Sequence, residues 1–237
     1  MKYNKYVKFI PWVGKNYNEE GFQGKKILIL GDSHYCAKDE NRNVACRSKG
    51  DCSYECMSCN CHAMTNSLIR YEYLDCRRKG GAMARYLHTI LDFEKNIFNY
   101  TPTLEESEYF WSRVVFYNYI QHSQYKPRGR RDTKPEEIDD YRKAFQYVLA
   151  KYKPDYIIIW SKFLFTKDWL PNGAFESPDY TLKAEYNGII YDTPVRTFKS
   201  DSGKLIPAII TQHPCCRFGK DQAKWHALLK EFLGLDD

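Results

Sequence analysis

The chain has no long hydrophobic run, no internal repeat and no low-complexity tract. No stretch approaches the roughly 20 apolar residues that a membrane helix needs. No apolar segment follows the basic start Met1-Lys2-Tyr3-Asn4-Lys5, so no secretory signal is expected. Nor is there an even set of cysteines in a small secreted framework: the nine cysteines are odd in number, and the chain is 237 residues long. That pattern points to a reducing compartment, with thiols used for metal or structure, and to the cytoplasm. What is present suits one globular unit with a proper core: 43% hydrophobic and 28% charged residues. Aromatics are abundant at 16%, with 20 Tyr, and the net charge is +6. Stacking surface and a small cationic excess fit a polyanionic, base-bearing partner. A slightly basic enzyme with no polyanion fits the charge equally well.

Residues 1–24 read as an irregular, Gly-punctuated lead-in. Lys25 to Leu30 is an apolar run bounded by Gly24 and Gly31, the pattern of a central parallel strand. From about 37 to 79 periodicity disappears and Cys, Asn, Arg and Ser dominate, which predicts an insertion with little core of its own. Gly80 to Phe93 carries Met83, Leu87, Ile90 and Leu91 at helical spacing, and Thr103 with Glu106 forms a capping-box pattern. Arg113 to Ile120 is a second strand containing Asn118; a helix follows from Pro135 with Ile138, Tyr141, Phe145, Val148 and Leu149 on one face. Tyr156 to Trp160 is a third strand, residues 171–203 suggest small antiparallel strands, Ile206 to Thr211 is a fourth main strand, and Asp221 to Leu233 a closing helix. Alternating strands and helices imply a three-layer α/β/α domain over residues 1–237, with a central four-stranded parallel sheet.

Two strands run straight into chemistry. Ile27-Leu28-Ile29-Leu30 leads into Gly31-Asp32-Ser33-His34-Tyr35-Cys36, and Pro207-Ala208-Ile209-Ile210 leads into Thr211-Gln212-His213-Pro214-Cys215-Cys216. Ligands of open α/β sheets sit outside the carboxyl ends of strands, so these ends predict one shared site. Asp32 there is a candidate carboxylate catalyst, or simply a turn residue. His213 can donate to a developing anion when neutral, or be a surface histidine stiffened by Pro214. Asn118 offers a donor and an acceptor suited to the edge of a base, or closes a turn. Gly31-Asp32-Ser33 also matches the start of the nucleophile block of GDSL-type hydrolases. Their Asp three residues before the His is Ile210 here, which counts against Ser33 as a nucleophile.

The order of these motifs resembles the uracil-DNA glycosylase superfamily. Gly31-Asp32-Ser33-His34-Tyr35, Phe116-Tyr117-Asn118, Ile158-Ile159-Trp160-Ser161 and His213-Pro214-Cys215 follow in sequence over residues 25–233, outside the Cys-rich insertion. The resemblance implies a uracil-DNA glycosylase-like fold and a DNA glycosylase that flips a base and hydrolyses its N-glycosidic bond, in base-excision repair. Asp32 and His213 would be catalytic; Ser33, Tyr35 and Asn118 would shape the base pocket. Cys215 stands where the family has a phosphate-gripping Ser. The family's catalytic Asp or Asn aligns with Ser33, so either Asp32 assumes that role or the chain binds a base without cleaving it. Bond breaking leaves positive charge on the sugar and negative charge on the base; a carboxylate and an imidazole donor would stabilise the two.

Cys46, Cys52, Cys56, Cys59, Cys61 and His62 fall within 17 residues, and Cys56-x2-Cys59 is a usual ligand pair. Zinc is the expected ion, with an iron–sulfur cluster or plain buried thiols as alternatives. Arg128, Arg130 and Arg131 form a basic loop after the second strand, either holding DNA phosphates or remaining a solvated charge run. Trp160 reads as core. The resulting expectation is a monomer acting on DNA, needing no cofactor for the hydrolysis itself and with no membrane partner.

Overall fold

The segment Ile27-Leu28-Ile29-Leu30 has no polar face, and the fold buries both of its faces. In this computed structural model, residues 4–34, 63–121, 135–160, 164, 169–170, 180–214 and 221–235 are described. The strands are β1 (Trp12–Val13), β2 (Ile27–Gly31), β3 (Val114–Asn118), β4 (Tyr156–Ile159), β5 (Tyr180–Tyr186), β6 (Ile189–Lys199) and β7 (Leu205–Ile210). They form one mixed sheet of seven strands in the order β1-β3-β2-β4-β7-β6-β5. Within it β3, β2, β4 and β7 pair in parallel, β1 lies antiparallel on β3, and the β5–β6 hairpin lies antiparallel on β7. The sheet is therefore wider than the expected four strands, because both of its margins carry antiparallel additions.

The helices are α1 (Met64–Ser67), a π-helical stretch (Leu68–Leu74), α2 (Asp75–Lys79), α3 (His88–Phe98), α4 (Leu104–Trp111), α5 (Pro135–Tyr152) and α6 (Gln222–Leu233). Side chains alternate across the sheet. Ile27, Ile29, Val114, Phe116, Ile158 and Ile209 join a core with residues of α3, α4 and α6. Leu28, Leu30, Val115, Tyr117, Ile157, Ile159 and Ala208 join a second core with Tyr141, Ala144, Phe145, Val148 and Leu149 of α5. Thr103 caps α4, with its hydroxyl accepting from the Glu106 backbone and the Glu106 carboxylate accepting from the Thr103 backbone. Among the described residues, no helix is long and apolar enough to cross a membrane.

Three local expectations change. The lead-in contributes an edge strand, β1. The part of the predicted insertion from 63 to 79 is helical and feeds Ile69 and Tyr73 into the core. The helix expected from Gly80 begins only at His88, because Gly80 takes φ 62° and closes α2 instead. Residues 35–62 lie outside the described residues.

β5 and β6 turn at Asn187 and Gly188, both with positive φ (52° and 76°), the conformation of a tight hairpin turn. Val195 stands opposite Ile209, so Ile189–Thr193 runs roughly 17 Å past Ile210, beyond the carboxyl edge of the parallel strands.

Helices α2, α3 and α4 meet at one buried carboxylate. Glu94 accepts from Tyr73 Oη (2.7 Å), Ser107 Oγ (2.5 Å), Trp111 Nε1 (2.6 Å) and Arg77 Nη1 (3.2 Å). Burial pushes its carboxyl up to about 7, against the hydrogen bonds and the Arg77 charge that hold it down. Removing one member of a buried pair strands the other charge. Glu94→Ala is expected to lower stability to urea by about 3–5 kcal/mol; a loss below ~1 kcal/mol would show the helices are held by their apolar contacts alone.

Candidate functional site

Parallel pairing fixes which strand ends share an edge. Gly31 is opposite Asn118, Leu30 opposite Ile159, and Ile159 opposite Ile210. The ladder continues past the strands: Tyr119 N donates to Gly31 O, Ile120 N to Asp32 O, Trp160 N to Leu30 O and Thr211 N to Ile159 O. Asp32, Asn118, Trp160 and His213 therefore leave the sheet at one edge. β4 separates β2 from β7, so the chain paths carrying Asp32 and His213 are about 10 Å apart at that edge. Asp32 is 8% exposed and His213 half-buried.

No Cβ fits at position 31: an added one would sit 2.1 Å from Asn118 Oδ1 and 2.9 Å from Phe116 Cε2. Glycine is what lets the Asn118 amide lie against the β2 backbone. The other end of that amide meets a residue missed in the sequence. Asn118 Nδ2 lies 2.9 Å from His34 Nε2 and 3.3 Å from Nδ1, and Thr65 Oγ1 lies 2.8 Å from Nε2. The neutral imidazole accepts the Asn118 amide hydrogen on its unprotonated nitrogen, and the Thr65 hydroxyl can donate or accept at Nε2. The ring is 4% exposed and Phe9 packs edge-on against it at 4.8 Å. Burial drops the His34 pKa to about 3. His34 is thus an uncharged orienting group for Asn118 across the neutral range.

Gln121 was missed as well. Its Oε1 accepts from the backbone of Lys8 (2.8 Å) and Phe9 (3.0 Å), while Nε2 donates to Asn118 O (2.6 Å). Asn66 Nδ2 donates to the carbonyls of Ile10 and Pro11 at 3.1 and 3.2 Å. These bonds fasten residues 8–11 over the β3 end of the edge. His34 stands between the predicted Ser33 and Tyr35, and Gln121 follows the end of the predicted second strand at Ile120; that proximity was the one signal available for them.

Ser33 Oγ is buried with no hydrogen-bond partner among the described residues. A serine nucleophile needs a base within hydrogen-bond reach, and the neighbouring imidazole of His34 is turned to Asn118 and Thr65. Trp160 is core, 3% exposed and packed on Phe93 and Phe116 at 4.7 and 5.1 Å between ring centres. Tyr35, Cys215, Arg128, Arg130, Arg131 and the six candidate metal ligands Cys46, Cys52, Cys56, Cys59, Cys61 and His62 lie outside the described residues. Among the described residues, no three His, Cys, Asp or Glu side chains cluster as metal ligands. Two clefts formed by described residues lie elsewhere. One, of about 580 Å³, flanks β1, and one, of about 220 Å³, runs between Lys5, Tyr6, Lys8, Gln121 and the start of α5. No protein-family model and no curated protein sequence matches the chain.

A buried neutral histidine makes folding acid-sensitive. The unfolded state takes up a proton near pH 6.5 that the folded state refuses until about pH 3. The contribution is fully present above pH 6.5 and is lost as pH falls, at about 1.4 kcal/mol per unit for this one group. In urea titrations between pH 4 and 6.5, His34→Gln should flatten that slope relative to the unsubstituted chain. Parallel slopes in the two proteins would mean that His34 is not buried uncharged.

Proposed function

We propose that the chain is a DNA N-glycosylase that extrudes a base from the stack and hydrolyses its glycosidic bond. One observation carries the reading: the strand ends bearing Gly31-Asp32, Asn118, Trp160 and His213 leave four adjacent, mutually parallel strands at a single edge. Counting only those four strands along the chain, their spatial order is second, first, third, fourth. Strand ends about 10 Å apart leave room for a carboxylate and an imidazole to bracket one flipped nucleoside.

In this reading the Asp32 carboxylate lies under the sugar, stabilises its developing positive charge and positions the attacking water. His213 donates a proton to, or hydrogen-bonds, the oxygen of the departing base as negative charge collects there. Asn118, held by His34, reads the base edge with the amide capacity left after its bond to the imidazole. Tyr35 walls the base pocket. Arg128, Arg130, Arg131 and the backbone at Cys215 hold phosphates, which would make binding fall steeply with salt.

A non-catalytic base-binding module on the same fold is the second reading, favoured by Ser33 at the position where the resemblance places a catalytic Asp or Asn. The esterase reading loses support, since Ser33 Oγ has no base partner among the described residues.

The separating experiment incubates the protein with oligonucleotides bearing a panel of damaged and modified bases, then cleaves abasic sites with alkali. Strand scission is expected for at least one base, and Asp32→Asn and His213→Ala should each slow it about 100-fold or more with unchanged far-ultraviolet dichroism. Full activity in both variants removes the assigned roles. DNA binding with no abasic product on any base selects the binding module.

The donor set of the Cys-rich segment suits zinc: soft thiolates with one imidazole and a Cys-x2-Cys pair. Elemental analysis of the purified chain should find zinc at one ion per chain, released by a thiol-reactive mercurial. Iron with a visible charge-transfer band would assign the segment to a cluster instead.

A further inference from the structure

Beside β1, on the flank away from the strand ends just described, lies the cleft of about 580 Å³. Its position follows from the chain path. After Val13, Gly14 N donates to Val114 O and Asn16 N to Ser112 O, so the cleft runs toward the amino end of β3. Its walls are β1, the π-helical stretch, α2 and α4; π-helical backbone is uncommon and is frequently found at functional sites.

The charges lining the cleft are unevenly matched. Arg113 is bonded to Glu20 and stacked on Tyr109 at 3.8 Å, and Arg78 is bonded to Asp75 and Glu108. Arg70 and Lys15 are different: among the described residues neither has an ion pair. The Arg70 guanidinium instead lies 5.7 Å from the centre of the Trp12 indole and 5.9 Å from that of the Tyr71 ring. Trp12 is itself anchored, donating from Nε1 to Trp111 O at 2.8 Å. An arginine resting on a fixed aromatic keeps its donor fork for a planar or tetrahedral oxyanion and loses little freedom on using it. Glu105, a carboxylate without an ion pair among the described residues, lines the same cleft and can accept from hydroxyl or amino hydrogens. Tyr109 also lines the cleft and is partly exposed, with Arg113 over one face of its ring.

We infer that this cleft is a second binding site, for a phosphorylated nucleoside unit, with the phosphate between Arg70 and Lys15 and the base or sugar hydroxyls toward Tyr109 and Glu105. Two cations without an ion pair among the described residues match one phosphate monoester, and the volume is that of a small-molecule pocket. A free nucleotide and one residue of a single strand share this chemistry. The inference does not rest on the glycosylase reading, since none of the cleft's residues belongs to the Asp32–His213 edge.

The test titrates the full chain calorimetrically with adenosine 5′-monophosphate, adenosine, inorganic phosphate and a tetrathymidylate carrying a 5′-phosphate. The monophosphate should bind with a Kd below about 1 mM, and adenosine and inorganic phosphate each at least about tenfold more weakly. A Lys15→Ala/Arg70→Ala double variant, altering two exposed side chains, should weaken the monophosphate about tenfold or more with unchanged dichroism. A tetranucleotide binding tighter than the mononucleotide names a strand as the source, and equal binding names the free nucleotide; either supports the site. No binding by the monophosphate, equal binding by the double variant, or inorganic phosphate binding as tightly as the nucleotide overturns the assignment.

Discussion

A close approach between β2 and β3 is the constraint on which the candidate site depends. β2 and β3 run in register from Ile27 and Val114 to Gly31 and Asn118, and at the last pair there is room for an amide only because position 31 has no side chain. The missing Cβ lets Asn118 lie back on β2, and its Nδ2 then meets His34. His34 in turn brings in Thr65 and Phe9. One glycine thus couples the end of the sheet to the first helical segment and to the amino-terminal strap. Interiors packed at crystal-like density transmit such a requirement, because a neighbour displaced by a methyl group has nowhere to go.

A second polar centre has a different character. Glu94 satisfies donors from α4, from the π-helical stretch and from α2; without it the Tyr73, Ser107 and Trp111 donors would have no acceptor among the described residues. Breaking the Glu94–Arg77 pair leaves one charge uncompensated, whatever the net contribution of the intact pair. Arg77 Nη2 also donates to Pro102 O at 2.5 Å, which ties the turn before α4 to the same point. The wall of the β1 cleft is built on this cluster, so the positions of Arg70 and Arg78 follow from where Glu94 draws the helices.

Much of the sheet could be read from the sequence, and the reason is local. Ile27–Leu30, Val114–Tyr117, Tyr156–Ile159 and Ile206–Ile210 are short, uninterrupted apolar runs ended by Gly, Asn, Trp and Thr, as strands buried on both faces require. α5 declared itself by Pro135 and a single apolar face, and α4 by Thr103 with Glu106. β1 was not legible, because two residues carry no period and Trp12–Val13 is a strand only through its pairing with Phe116 and Val115. The helical residues 63–79 were masked by their polar neighbours: Ile69, Tyr73 and Leu74 supply the apolar contacts, diluted among charges. In the site, Asp32, Asn118 and His213 were readable as residues closing apolar runs. The roles of His34 and Gln121 were not, since Phe9, Thr65 and Asn118 are dozens of positions away from one or the other, and only folding makes them neighbours.

The margins of the sheet have a consequence for how copies of the chain meet. At one side the last strand is two residues long; at the other, β5 alternates Lys183 and Glu185 with inward Leu182, Ala184 and Tyr186. Neither margin is a flat apolar ribbon onto which a foreign strand could zip, and charge or brevity at the rim is how sheets resist fibre-like growth. Recognition is thereby diverted from backbone ladders to side-chain surfaces, where selectivity can be set one residue at a time.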